Sequence, residues 1–234
     1  METITLAQCS KNGRQDLYIS YVYKQLKEKF ALEAECKIET SNGEILLSVT
    51  SADTYAPRLK RFTNERIADV LVIGYKYEFF RRNLFLPLLS EKEKFLLLVS
   101  LVSADYAEDK KYVLRRLDGI KNCSIDGVYN FRLGELKDRW KEVAEYIPTD
   151  FGKYSLESFL DYVITDGESR AYLKNGKAYD ENYRLLNRGE LLGNTSQLAE
   201  LLLYGAGQVY CFGETDAETE DFLRKYYKEK AVFC

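Results

Sequence analysis

Apolar and polar positions alternate over residues 3 to 9, which predicts a strand, and the Lys11-Asn12-Gly13 break then gives way to the helical spacing of Leu17, Tyr21, Leu26 and Phe30. Period two returns at Cys36, Ile38 and Thr40. It resumes after Ser41-Asn42-Gly43 at Ile45, Leu47 and Val49, so the segment reads as a hairpin with one apolar face. From Pro57 the period is helical again: Leu59, Phe62, Ile67, Val70, Leu71, Gly74, Tyr77 and Phe80 return to one side until Pro87. Ser90-Glu91-Lys92-Glu93 forms a capping box. It predicts one long helix through Phe95, Val99, Val102, Tyr106 and Val113 to Gly119.

Leu136, Trp140, Val143, Ala144 and Ile147 mark a helix closed by Pro148, and Leu156, Phe159, Leu160 and Val163 mark another. Lys174-Asn175-Gly176-Lys177 is a second hairpin signal. Leu198, Leu201 and Leu202 lie on a helix, "QVYCF" reads as a buried strand, Thr215-Asp216-Ala217-Glu218 as a second capping box, and "AVFC" as a final strand. The class is α+β: an N-terminal strand-helix-hairpin, a central helical bundle, then a hairpin and strand-helix-strand. No repeat or linker interrupts it. Residues 1–54 form an N-terminal α/β portion and 55–234 a helical core with a C-terminal α/β portion, in two domains or one continuous one.

Composition narrows the chemistry. The 234 residues include no histidine, which removes Ser-His-Asp and Cys-His catalysis, histidine zinc sites and the usual proton shuttle near neutral pH. The reading therefore favours binding over catalysis and calls for no cofactor and no metal. Cys9, Cys36, Cys123, Cys211 and Cys234 form no C-x-x-C pair, and their odd number predicts reduced thiols. The net charge of -3 offers no global attraction to nucleic acid or anionic membrane. The acidic, polar start does not read as a targeting signal, and the apolar run Phe95 to Val102 is far short of a membrane span, so the expected setting is cytoplasmic with no membrane partner.

Five places carry candidate chemistry. Gly205-Ala206-Gly207 follows a helix and precedes a strand, the wrong order for a dinucleotide motif and the right one for a glycine turn. The junction Gly213 into "ETDAETE" carries four acids in seven residues, which complement a helix start and repel phosphate. Ser10-Lys11-Asn12-Gly13-Arg14 has the order and charge for an anion, so Lys11 and Arg14 are candidate contacts for a phosphorylated ligand or enzyme substrate. Residues 58 to 82 hold seven basic and three acidic residues beside Tyr75, Tyr77, Phe79 and Phe80. Arg58, Lys60, Arg61, Arg66, Arg81 and Arg82 are thus candidate nucleic-acid contacts, with an aromatic core face and a charge-complemented helix end as the competing account. Asp161, Asp166 and Glu168 read as solvated loop acids rather than a Mg²⁺ site.

In "SIDGVYNFRLGELKDRW", Asp126-Gly127 reads as a turn, after which Tyr129, Phe131 and Leu133 point one way, against Trp140, and Asn130 and Arg132 the other, with Glu135 or Asp138 as partners for Arg132. The same stretch resembles the YtxC-like family, uncharacterised sporulation proteins of spore-forming Firmicutes. The match is carried by Gly127, Phe131, Arg132, Leu133 and Trp140 as structural positions. It extends to "IADVLVIGYKYEFF", "LKDRWKEVAEYI", "LESFLDYVI", "LAELLLYGAGQVYCFGE" and "KAVFC", in order over roughly residues 60 to 234. It departs from the pattern at Tyr210-Cys211, where relatives often show histidine. The resemblance implies a sporulation role without an established reaction. The leading expectation is a cytoplasmic, non-catalytic binding protein with an unidentified protein partner.

Overall fold

The computed structural model describes residues 1–9, 15–120 and 122–234. The loop holding Lys11 and Arg14 lies outside the described residues. In chain order, β1 (Glu2–Cys9), α1 (Gln15–Lys29), β2 (Ala34–Ser41) and β3 (Glu44–Ser51) precede α2 (Ala56–Asp69), a π-helical turn (Val70–Tyr75) and α3 (Lys76–Asn83). Next are α4 (Glu91–Ala104), α5 (Tyr106–Leu117), β4 (Asn122–Ser124), α6 (Ile125–Arg132), α7 (Gly134–Tyr146) and α8 (Lys153–Asp166). The chain then forms β5 (Ser169–Lys174), β6 (Lys177–Tyr179), a 3₁₀ turn (Arg188–Leu192), α9 (Gln197–Tyr204) and β7 (Ala206–Phe212). Last come α10 (Ala217–Phe222), a second π-helical turn (Leu223–Tyr227) and β8 (Ala231–Phe233). The protein is α+β.

The chain forms two compact units, one from Met1–Lys76 with Ala107–Glu142 and the other from Tyr77–Tyr106 with Val143–Cys234. Residue 54 falls inside the first. Its sheet has the order β2-β3-β1-β4, with β1 antiparallel to β3 and parallel to β4. Ile4 and Leu6 of β1 and Ile45, Leu47 and Val49 of β3 are buried, as are Tyr18, Ile19, Val22 and Leu26 of α1. The apolar alternation foreseen for β2 has a different fate: β2 is the sheet edge, and Ile38 is 41% exposed. The turn Asn42-Gly43 has positive φ at both residues, 51° and 75°, as a tight hairpin of this kind requires.

Gly74 sits in the π-helical turn because a Cβ there would lie 2.5 Å from the Tyr18 ring. Just beyond, the fully buried Lys76 ammonium is 2.8 Å from Asp109 Oδ2, and the Trp140 Nε1 proton is donated to that same oxygen at 2.9 Å. Arg139 approaches Asp109 Oδ1 at 3.5 Å. The buried Asp69 carboxylate is held by Arg66 at 3.0 Å and Lys110 at 2.6 Å. Buried charges persist only when paired in this manner.

Two sequence expectations are corrected here. Residues 129 to 133 are not extended: Ile125–Arg132 is helix α6, with the Ser124 hydroxyl accepting the Gly127 N–H at 3.1 Å. The helical spacing Ile125, Val128 wins over the shorter alternation, so Asp126-Gly127 is the first helical turn. Leu133 and Trp140 are buried, whereas Phe131 is 88% exposed. Arg132 donates to the Arg116 carbonyl at 3.3 Å. The single helix foreseen from Ser90 to Gly119 is in fact α4 and α5, separated at Asp105, whose φ of -110° and ψ of 16° leave the helical region. The Ser90–Glu93 capping box itself is present, with both reciprocal bonds.

The second unit is built on a sheet of order β6-β5-β7-β8, with β5, β7 and β8 parallel and β6 antiparallel to β5. Ala171, Leu173, Ala178, Val209 and Cys211 point to one face, where α8 and α9 pack and bury Leu156, Leu160, Ile164, Leu198, Leu201 and Leu202. Gly205 ends α9 in the left-handed region at φ 69°, as the glycine-turn reading requires. The cap of α10 is shifted by one residue from the predicted box: Asp216 accepts from the Thr219 N–H at 2.9 Å and from its hydroxyl at 2.7 Å. An aspartate next to the predicted threonine is the stronger cap.

Glu200 on α9 clasps the 3₁₀ turn, its two oxygens accepting the N–H groups of Arg188 at 2.9 Å and Gly189 at 2.8 Å. Burial raises its pKa from an ordinary 4.5 to about 7, although the two amide donors pull the other way. The folded state therefore binds an extra proton between those values. The stability contributed by this group is complete below pH 4.5 and is lost as pH rises through about 7. Urea titrations of the wild type across that window should show unfolding free energy falling by up to about 3 kcal/mol from this group. In Glu200→Gln that slope should disappear. An unchanged slope would place the titration elsewhere.

Candidate functional site

The alternation of β5, β6 and β7 sends one set of side chains into the core and the other to the opposite face. The cross-strand register aligns that second set: Arg170 with Gln208, Tyr172 with Tyr210, and Lys174 with Phe212 between β5 and β7, then Tyr172 with Tyr179 and Lys174 with Lys177 between β5 and β6. Tyr210 is further paired with Val232 of β8. None of the outward positions is a carboxylate. The face is half-buried at Tyr172, Tyr179 and Tyr210 and exposed at Arg170, Lys174, Lys177 and Phe212.

The rings on it are nearly parallel. Tyr172 lies 5.6 Å from Tyr210 at 26° and 6.1 Å from Phe212 at 29°, centroid to centroid. Tyr183, from the loop after β6, stacks on Tyr172 at 4.5 Å and 15° and remains 66% exposed. Its loop is tightly specified: Asp180 Oδ1 accepts the N–H groups of Asn182 and Arg184, both at 2.8 Å, and the Leu186 N–H returns to the Ala178 carbonyl at 2.9 Å. Tyr183 itself is held at φ 56°, a conformation that is strained for a bulky side chain. Stacked rings are worth more than the area they bury, and the loop spends backbone strain to place one more ring on the stack.

Of the cations in this unit, Arg81, Arg82, Lys92, Lys94, Arg224, Lys225 and Lys228 are paired with carboxylates. Among the described residues, Arg170, Lys174 and Lys177 on the sheet face show no such partner, nor do Lys153, Arg184 and Lys230, the last donating to the Thr165 carbonyl. Arg188 instead lies over the Tyr106 ring at 4.5 Å.

The residues singled out from sequence lie elsewhere. Arg58 pairs with Glu33 at 3.4 Å, Arg61 with Glu65 at 3.3 Å and Arg66 with Asp69, while Lys60 is half-buried on the same helix; all belong to the first unit. Arg81 pairs with Glu78 at 2.8 Å, and Arg82 lies 3.9 Å from the same carboxylate, in the second unit. Arg132 is exposed and lines a cavity of about 340 Å³ together with Arg116, Tyr112 and the carboxylate-bearing Glu135. Asp161 is paired with Lys228 at 3.0 Å. No group of three metal-ligating side chains occurs among the described residues, and no helix among them is long and apolar enough to cross a membrane.

The cysteines are free, and burial pushes the thiols of Cys36 and Cys211 up and that of Cys123 to about 11. A protonated thiol is a poor nucleophile. The aromatic face escapes the sequence reading because "QVYCF" reads as a buried strand. The signal was present in Tyr172 and Tyr179 at equal remove from the Asn175-Gly176 turn, with Tyr210 and Phe212 at strand period two. Comparison with protein-family models, with curated proteins and with solved structures finds no match to the chain.

Proposed function

We propose that this chain is a non-catalytic binding protein acting in sporulation, with the open face of its C-terminal sheet as the contact surface. The sporulation setting rests on the ordered resemblance of residues 60 to 234 to the YtxC-like family. The binding reading rests on one observation, the in-register pair Tyr172 and Tyr210 with Phe212 beside it, capped by the strained, exposed Tyr183. An aromatic face left uncovered on one side of a sheet, with cations beside it, is a surface for something planar or apolar.

Deletion of the gene in a genetically tractable spore-forming host is expected to lower the yield of heat-resistant spores, and re-expression of the wild type to restore it. A chain carrying Tyr172→Ala and Tyr210→Ala, at equal abundance, should fail to restore it. Unchanged spore yield on deletion would refute the sporulation setting. Full rescue by the double variant would refute the role of the sheet face.

A further inference from the structure

We infer that the aromatic sheet face binds single-stranded nucleic acid, its bases continuing the ring stack that ends at Tyr183 and its phosphates meeting Arg170, Lys174 and Lys177. The inference rests on the sheet face proposed above and names its ligand. Three observations converge on it. The stack Tyr183, Tyr172, Tyr210 consists of near-parallel rings rather than the edge-to-face pairs that fill cores, and its terminal ring is two-thirds exposed. Parallel stacking is the mode by which unpaired bases meet aromatic side chains, and every base has a face to offer.

The second observation is charge. Outward positions of β5, β6 and β7 carry three cations and no anion, and these cations lack carboxylate partners among the described residues, although most others in the unit have one. A cation beside an aromatic row, left without an acid of its own, suits a ligand that brings its own negative charge together with planar rings. The third is strain: a tyrosine held at φ 56° by an Asp180-centred turn marks a position where the fold retains an unfavourable conformation to keep a ring in place. A duplex hides its base faces within its own stack, so it cannot use such a platform. Single strands can.

The overall charge of -3 opposes binding at long range. Affinity should therefore come mainly from stacking, with a shallow salt dependence: three phosphate contacts to a single strand give a slope of log K against log salt of about -2.

The test is fluorescence anisotropy of the full chain with labelled 10-nucleotide DNA and RNA single strands and a matching duplex, across a salt series. Saturable binding of a single strand, with the duplex at least tenfold weaker, is expected. Tyr183→Ala, which alters an exposed loop ring, should weaken it by roughly 10-fold or more. Lys174→Glu with Lys177→Glu should weaken it and flatten the salt slope. Circular dichroism should confirm the fold of each variant. Absent binding, or binding unchanged by Tyr183→Ala and by the charge reversal, overturns the inference. Loss instead in Arg58→Ala with Arg61→Ala would move the site to helix α2 and overturn it equally. Should oligonucleotides fail while the Tyr172→Ala, Tyr210→Ala chain still fails to restore spores, the face would stand with another occupant, such as a protein.

Discussion

Gly207→Ala is expected to cost on the order of 4 kcal/mol or more and to leave the C-terminal unit largely unfolded, its added Cβ making the closest backbone clash of any glycine among the described residues. A Cβ at Gly207 would stand 1.7 Å from the Gly167 carbonyl oxygen and 2.4 Å from its carbon. Both are backbone atoms, so no rotamer change relieves the clash. The crowding is reciprocal, because a Cβ at Gly167 would stand 2.9 Å from the Gly207 nitrogen and Cα and from the Gly205 oxygen. The two glycines let the end of α8 meet the start of β7, where β5 and β7 begin their pairing at Ser169 and Ala206. Limited proteolysis and circular dichroism should show the loss, with Gly134→Ala as the control. At Gly134 an added Cβ meets nothing within 4 Å, and α7 gains from alanine's helix propensity. A stable, protease-resistant Gly207→Ala chain would mean that the strand shifts at little cost.

Asp109→Ala is expected to destabilise the N-terminal unit by about 3 to 5 kcal/mol, the range for removing one member of a buried ion pair. Its carboxylate answers three groups at once: the Lys76 ammonium, the Trp140 indole N–H and the Arg139 guanidinium. Lys76 and Trp140 are both essentially inaccessible to water. Removing Asp109 takes away the carboxylate 2.8 Å from a buried ammonium and the acceptor of the Trp140 indole N–H. Lys76→Met combined with Asp109→Leu should recover most of the loss, because removing both charges abolishes the penalty of burying either. Trp140 is the chain's one tryptophan, so its emission reports this site directly during urea unfolding. If the double variant is as unstable as Asp109→Ala, packing at the site rather than charge carries the cost.

The two cases differ in how far they can be read from sequence. Gly205-Ala206-Gly207 announces a glycine turn by its order after a helix, and Gly205 does adopt positive φ. That Gly207 is needed for close approach to Gly167, forty residues earlier, is not encoded in either neighbourhood. Lys76, Asp109 and Trp140 likewise lie in three separate helices, each surrounded by other charged residues. Nothing local distinguishes Lys76 from Lys60 on the preceding helix, yet one is buried and the other half-exposed. The aromatic face lies between these extremes. Each strand's outward ring is visible as period-two spacing, but the row exists only because parallel pairing sets Tyr172 opposite Tyr210.

Sequence alone determined the α+β class, the two Asn-Gly hairpins, the Ser90 capping box and the exclusion of histidine chemistry. These follow from φ preferences, hydrogen-bond donors and side-chain inventories that act within a few residues. Where two local signals competed, it misled: the alternation at Tyr129, Phe131 and Leu133 was outweighed by the Ser124 cap and by an Ile125–Val128 stripe, the stripe gaining its value from burial. Tertiary structure alone decided the pairing of β1 with β4, the burial of Lys76 against Asp109, and the assembly of one aromatic face from β5, β7 and the Tyr183 loop. Strand register and charge burial depend on contacts between residues far apart in the chain. Their free energy belongs to the packed arrangement and to no segment of it.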